Sequence, residues 1–429
     1  MRRKLISVLA IAVLAFSTLA GCAGGGGQTG GEADTQNVGG AQATDLPAED
    51  GVIALRVWAE EENFDMLNQM IESFKAEYAG QAEFEITLEA AADSETKNNV
   101  LGDIHNAADV FPMADDQLSG LVAAGALYPV PNAEEIKKAN LEEAVAAASI
   151  NDVLYAYPMT ADNGYFMYYN KKYFSDADLQ TLDGMLAVAN AEGKKITMDW
   201  SSGWYLYAFF GNTGMEFGVN DDGVTNYCNW NTTEGDIKGV DIAEAMLDIA
   251  AQPGFQNGGD ADMMAGIQDG SVIAGVSGVW KAVDVENAWG SDMGAVKLPT
   301  YTVAGKQVQM ASFTGYKLMG VNAYSEHPEW AAKLADWFTN EENQTIRFEQ
   351  RGQGPSNINA AASDAVSAAP AIQAVIAQSA YGKLQRVGNS YWDPCTTYGT
   401  LMAEGNPSNM KLQDIMDTLV AGITQSVAQ

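Results

Sequence analysis

Two acidic clusters carry the most suggestive chemistry in the chain: Glu60, Glu61 and Glu62 in one run, and Asp115 with Asp116 in another. Ionised carboxylates accept short, strong hydrogen bonds from hydroxyls. A pair of carboxyl groups flanking a glycosidic bond can also act as acid and nucleophile. The same residue types therefore suit a carbohydrate binder or a glycoside hydrolase, the latter using two of Asp115, Asp162 and the Glu60 to Glu62 cluster. Other reaction chemistries lack their patterns: there is no G-x-S-x-G elbow, no G-x-x-x-x-G-K phosphate loop and no cysteine with a nearby histidine signature. No cofactor is expected. The two histidines, His105 and His327, stand in no metal-binding spacing. Asp221-Asp222-Gly223 and Asp260-Ala261-Asp262 lack the acidic ladder of a calcium loop and read as turns, so no metal site is expected. Beyond Cys22, only Cys228 and Cys395 remain, too far apart in sequence to say whether they are bridged or free.

The elements that must position these acids begin with Val52 to Trp58, a short β-rich run. Apolar residues follow at Met66, Leu67, Met70, Ile71, Phe74 and Tyr78, which is helical spacing, and Phe84 to Leu88 alternates again. Strand, helix, strand predicts an α/β domain with a parallel sheet. Thr96 to Ile104 reads as helix, Asp109 to Phe111 as a buried strand end, and Gln117 to Ala124 as a helix stopped by Gly125. Ligands of open α/β sheets bind at the carboxyl ends of strands, so Glu60 to Glu62 and Asp115–Asp116 share a candidate cleft rim. A second series follows: Tyr165 to Tyr169, Ile196 to Met198 and Ser271 to Val276 as strands, with Trp204 to Phe210 and Gly239 to Ala251 as helices. Ser312 to Asn322 reads as one strand, and Glu329 to Phe338 as a helix opened by Pro328. Two such series imply two lobes. Trp58, Trp330 and Trp337 fit core periodicity, and without other information any tryptophan is better placed in a core than on a platform.

At the amino terminus, Arg2, Arg3 and Lys4 precede an apolar run from Leu5 to Ala20, which is shorter than the roughly 20 residues of a membrane helix. The run closes on Leu19-Ala20-Gly21-Cys22, which resembles the bacterial lipobox, so residues 1–21 are expected to be a signal peptide and Cys22 a lipidated anchor. Residues 23 to 50 are rich in Gly, Gln and Thr, the composition of a flexible tether. Roughly 380 residues remain, enough for two domains of ordinary size. The formal charge of −33, about −36 without the three leader cations, opposes nucleic acid and anionic ligands. Neutral or cationic solutes are favoured.

Four segments, ADVFPMADDQLSGLVAAGALYPV (108–130), YAYPMTADNGYFMYYNK (155–171), SGVWK (277–281) and SFTGYKLMGVN (312–322), give the chain its resemblance to a known family. Over about residues 51–429 it resembles the maltose and maltodextrin-binding branch of the family 1 extracellular solute-binding proteins of ABC importers. The resemblance implies an α/β, two-lobed clamp of the periplasmic-binding-protein type II. One lobe would take about residues 51–161 and 315–358, the other about 162–314 and 359–429. It further implies ligand contacts from Glu60, Glu61, Asp115 or Asp116, Asp162 and Asn163, and stacking from Trp280 and Trp392, with Trp204 and Tyr205 near a further aromatic contact. Asp162-Asn163-Gly164 also has the make-up of a plain turn. Asp116 would serve equally to cap the helix near Gln117. The sequence departs from the family pattern at Pro112 and Met113, where a tryptophan is expected, and at Thr396, where a cation is expected. The implied partners are an oligosaccharide, permease subunits of an ABC importer and, through Cys22, the membrane. The implied state is a monomer on the outer face of a bacterial, Gram-positive cell. A cationic solute remains an alternative ligand, since an aromatic box also holds cations.

Overall fold

Alternation along Val52–Ala59 (β1) buries Ile53, Leu55, Val57 and Ala59 on one face, as a half-covered strand requires. With Glu83–Ala90 (β2), Val110–Ala114 (β3) and Ala156–Thr160 (β4), it forms most of a first sheet. A second sheet takes Tyr165–Asn170 (β5), Lys195–Met198 (β6), Phe255–Asn257 (β7), Val272–Gly278 (β8) and Met293–Val296 (β9). The computed structural model describes residues 51–220 and 224–425. The leader, Cys22, the whole tether and Asp221-Asp222-Gly223 lie outside the described residues.

The run from Ser312 to Asn322 is not one strand. It divides into Ser312–Thr314 (β10), whose Phe313 packs in the core of the second sheet, and Lys317–Val321 (β11), which enters the first sheet between β3 and β4. The break falls at Gly315 and Tyr316. There the Tyr316 N–H donates to Asp115 Oδ1 at 3.0 Å, while the Asp115 N–H donates to the Tyr316 carbonyl at 3.0 Å. A Cβ at residue 315 would sit 2.5 Å from Asp115 Oδ1, so only glycine lets the chain cross here.

The first sheet therefore runs β2-β1-β3-β11-β4 and the second β7-β6-β8-β5-β9. Both are mixed, not parallel as the sequence suggested: β11 is antiparallel to both its neighbours, and β5 is antiparallel to β8 and β9. In β5 every residue from Tyr165 to Tyr168 is buried because both faces are covered: Tyr165 and Met167 belong to one apolar cluster, Phe166 and Tyr168 to another. Helix Phe64–Glu77 covers the first sheet with Met66, Leu67, Met70, Ile71 and Phe74. Helix Pro328–Thr339, with proline in its first turn, adds Trp330, Leu334 and Phe338 to the same core. Trp58 and Trp337 pack on that core as well. Each half is thus an α/β layer structure with its own interior, and the described residues fall within one compact unit. Cys228 and Cys395 are free thiols, and burial pushes Cys228 up to about 12. Among the described residues no helix is long and apolar enough to cross a membrane, and no group of three His, Cys, Asp or Glu is placed to hold a metal ion.

Candidate functional site

The carboxyl ends of β1, β3 and β8 open onto one cavity of about 1620 Å³. This exceeds the roughly 300–1,000 Å³ that accommodates drug-sized ligands and leaves room for several sugar rings. The two sheets give it unlike walls.

From the first half come Glu60, Glu61 and Glu62, in the turn after β1, together with Asp93, Asp116 and Lys317. Glu62 accepts from Lys281 of the opposite wall at 3.1 Å and pairs with Arg351 at 2.7 Å. Burial opposes its charge, but these two cations hold its carboxyl below the usual range. Glu60 faces Asp93 and Lys317 in the cavity floor, where burial and the Asp93 charge push it up. Asp116 borders the cavity with Oδ1 enclosed and unpartnered. Burial, with Asp115 beside it, pushes Asp116 up to about 6. It caps no helix: the following helix, Leu118–Ala123, has Gln117 at its N-cap position.

The second half supplies the aromatics. Trp280 follows β8 and lies folded back on Gly278, where a Cβ would stand 2.0 Å from the indole. Its Nε1 donates to Asp260 Oδ2 at 2.7 Å, and Asp260 Oδ1 accepts from the Ser277 hydroxyl at 2.7 Å. Asp260-Ala261-Asp262 is therefore no turn: it opens the helix Asp260–Asp269 and fixes the indole edge. Trp204 stacks on Phe313 with centroids 5.5 Å apart, and Trp392 meets Tyr391 edge-on at 5.1 Å. Gly203 makes room for Trp392, which a Cβ there would approach to 3.3 Å. Asn163 completes this side near the crossing of the chain.

Of the ten candidate contacts read from the sequence, the cavity brings together Glu60, Glu61, Asp116, Asn163, Trp204, Trp280 and Trp392. Three lie behind it. Asp115 is turned away into the Gly315–Tyr316 crossing, and its other oxygen pairs with Arg386 at 2.7 Å. Asp162 is buried and accepts the Gly354 N–H, tying the crossing at residues 161–164 to that at 353–354. Burial pushes it up to about 6. Tyr205 is buried and packs edge-on against Tyr165 at 5.0 Å. In the short helix Gly203–Leu206, Trp204 alone is half-exposed, while Gly203, Tyr205 and Leu206 are buried.

Sequence reasoning missed Asp93, Asp260, Lys317 and Arg386. Lys317 sat inside a run read as continuous strand, and Asp260 inside an apparent turn. Arg386 supplies a cation near the site, although Thr396 stands where the family pattern calls for one.

A family model described as bacterial extracellular solute-binding protein matches residues 69–374. A galactooligosaccharide-binding protein of Bacillus subtilis (strain 168) is 24% identical over 343 residues, covering 77% of this chain and 79% of that protein. The maltodextrin-binding protein MdxE of the same organism is 26% identical over 274 residues, or 60% of this chain and 62% of that one. Among solved structures, one with acarbose is 29% identical, with a TM-score of 0.76 over 87% of this chain and 99% of the other. The relatives are binding proteins, and the fold they share is the two-lobed clamp.

Proposed function

This chain belongs to the bacterial extracellular solute-binding proteins, and on that premise we propose that it captures a neutral oligosaccharide of the maltodextrin type between its lobes and delivers it to the permease of an ABC importer. One observation carries the reading: three indoles from one half face carboxylates from the other across a single large cavity. A pyranose presents apolar C–H faces to aromatic rings and hydroxyls to carboxylates, so each wall answers one side of the ligand. The names of the relatives support the same ligand class.

In the mechanism we propose, the lobes hinge near residues 161/162, 314/315 and 358/359. A sugar touches both walls only when they are close, and binding shifts the population toward the closed form that the permease reads. The chain acts as a monomer, lipid-anchored through Cys22 on the outer face of a Gram-positive cell membrane. It carries out no hydrolysis. Two acids of the hydrolase alternative, Asp115 and Asp162, accept backbone N–H groups at the chain crossings and do not line the cavity, and of the Glu60 to Glu62 cluster Glu62 is held by Lys281 and Arg351.

Calorimetry with maltose, maltotriose, a longer maltodextrin, a cyclodextrin, a galacto-oligosaccharide and a xylo-oligosaccharide tests this. Micromolar affinity, about −8 kcal/mol, is expected for at least one glucose oligomer, with intact sugar recovered afterwards. Heat from none of them, or release of shorter products, would overturn the reading.

A further inference from the structure

The structure assigns Lys317 a role in selectivity: its ammonium fills the cation position on Trp280, so the ligand group that enters there is uncharged and hydroxylated, and a cationic group is kept out. This rests on the oligosaccharide reading above and says which solutes the same cleft refuses.

Lys317 is the first residue of β11, pairing with Ala114 of β3 and Thr160 of β4. The register against β4 slips between Lys317 and Leu318, a β-bulge that re-aims the side chain at the strand end. The ammonium then lies 5.6 Å from the centre of the Trp280 ring, across the cleft, within the roughly 6 Å at which a cation feels an indole face. It is ion-paired with Asp93 and has Glu60 nearby. Burial works against its charge, yet these carboxylates hold it protonated above the ordinary lysine range.

A cationic ligand would need two things in this part of the cleft: an open aromatic face and a carboxylate without a counter-charge. Both are already taken by the protein's own ammonium. A sugar brings no charge to be balanced, and it meets the indole through C–H groups beside the ammonium, not through the cation position itself. Its hydroxyls can accept from the Lys317 N–H donors that Asp93 leaves free and donate to Glu60. The other cations of the cavity are occupied elsewhere: Lys97 donates to Asn389 at 2.8 Å, and Lys281 is shared between Glu62 and Asp284 at 3.1 and 3.5 Å. Lys317 thus decides between ligand classes that the acidic cleft as a whole would admit.

The test is calorimetry at physiological salt with maltotriose and with spermidine, on the wild type and on Lys317→Met and Lys317→Arg. The wild type is expected to bind maltotriose and not spermidine. Lys317→Met should lose about tenfold in maltotriose affinity and take up spermidine, in competition with the sugar. Lys317→Arg, which keeps the charge, should again refuse spermidine. If Lys317→Met does not fold, as a melting curve would reveal, the double variant Asp93→Asn/Lys317→Met removes both members of the buried pair and leaves Glu60 and Trp280 for the same measurement. Spermidine bound in the cleft of the wild type, or refused by the folded variant, would overturn the inference. A wild type that binds none of the sugars would instead sink the oligosaccharide reading, while the spermidine comparison still reports on Lys317.

Discussion

The two walls of the cleft are built on opposite plans. The wall from the first sheet is acidic and offers Glu60 to Glu62, Asp93 and Asp116, with Lys317 among them, while its own tryptophan, Trp58, is packed down on the core. The wall from the second sheet carries the aromatics, with half-buried Trp204, Trp280 and Trp392 bordering the cavity beside Asp260, Asp284 and Asp393. Burying an indole face removes a large apolar area from water. A hydrogen bond to a carboxylate adds much less than its gross strength, because water already satisfied the group, while a carboxylate left without a partner is penalised heavily. The division teaches that affinity should reside mainly on one half and discrimination on the other. Neither half alone makes a site.

The sharpest way to break this contrast is to remove one element from each wall. Trp280→Ala should weaken sugar binding by about 2–3 kcal/mol, roughly 30- to 150-fold. Glu61→Gln on the acidic wall, which keeps a neutral acceptor and removes only the charge, should cost less than about 1.4 kcal/mol, under tenfold. Calorimetry on a folded variant pair decides. Equal losses would mean that the walls share the work and that the comparison is wrong.

A finer test moves the indole without deleting it. Gly278 lies so close beneath Trp280 that a methyl group there must push the ring away. Gly278→Ala should therefore reduce sugar affinity by about 1–2 kcal/mol, roughly five- to thirtyfold, with Trp280 still present. The sugar-induced change in tryptophan fluorescence expected of the wild type should shrink in this variant. An affinity equal to the wild type would mean that the exact seat of the ring does not matter.

How much of this was written in the sequence follows from whether a feature is local. The alternation in β1 and the spacing of Met66, Leu67, Met70, Ile71 and Phe74 are local, and both elements appear where the periodicity puts them. The break at Gly315–Tyr316 is not. SFTGYKLMGVN reads as an unbroken strand, and what divides it is a carboxylate two hundred residues earlier, Asp115, bonding the Tyr316 N–H. The same cause took Asp115 and Asp162 out of the expected contact set. An acid at a strand end looks alike in sequence whether it meets a ligand or pins its own backbone, and only the tertiary partner tells. Lys317 was hidden for a related reason, because a bulge set by the β4 register aims it into the cleft. The tryptophans were placed by resemblance, since spacing alone would have put them in a core.

The smallest effect concerns protons on the acidic wall, and its sign can be worked out. Burial and the neighbouring Asp115 push Asp116 up to about 6. If a sugar hydroxyl donates to the Asp116 carboxylate, binding requires the ionised form. Affinity is then full above about pH 7 and falls as pH drops through 6, by about three- to tenfold at pH 5. Unfolding would not mimic this loss through the same residue. A carboxyl whose pKa is higher in the folded than in the unfolded chain takes up its proton more readily when folded, so Asp116 favours the fold as pH falls through that window. Asp162, also pushed up to about 6, acts in the same direction. Calorimetry with maltotriose from pH 7.5 to 5 should show the decline in the wild type and a flattened profile in Asp116→Asn. Should the variant keep the wild-type slope, the titrating group is another member of the wall, Glu60 being the nearest in character, and Asp116 does not touch the sugar.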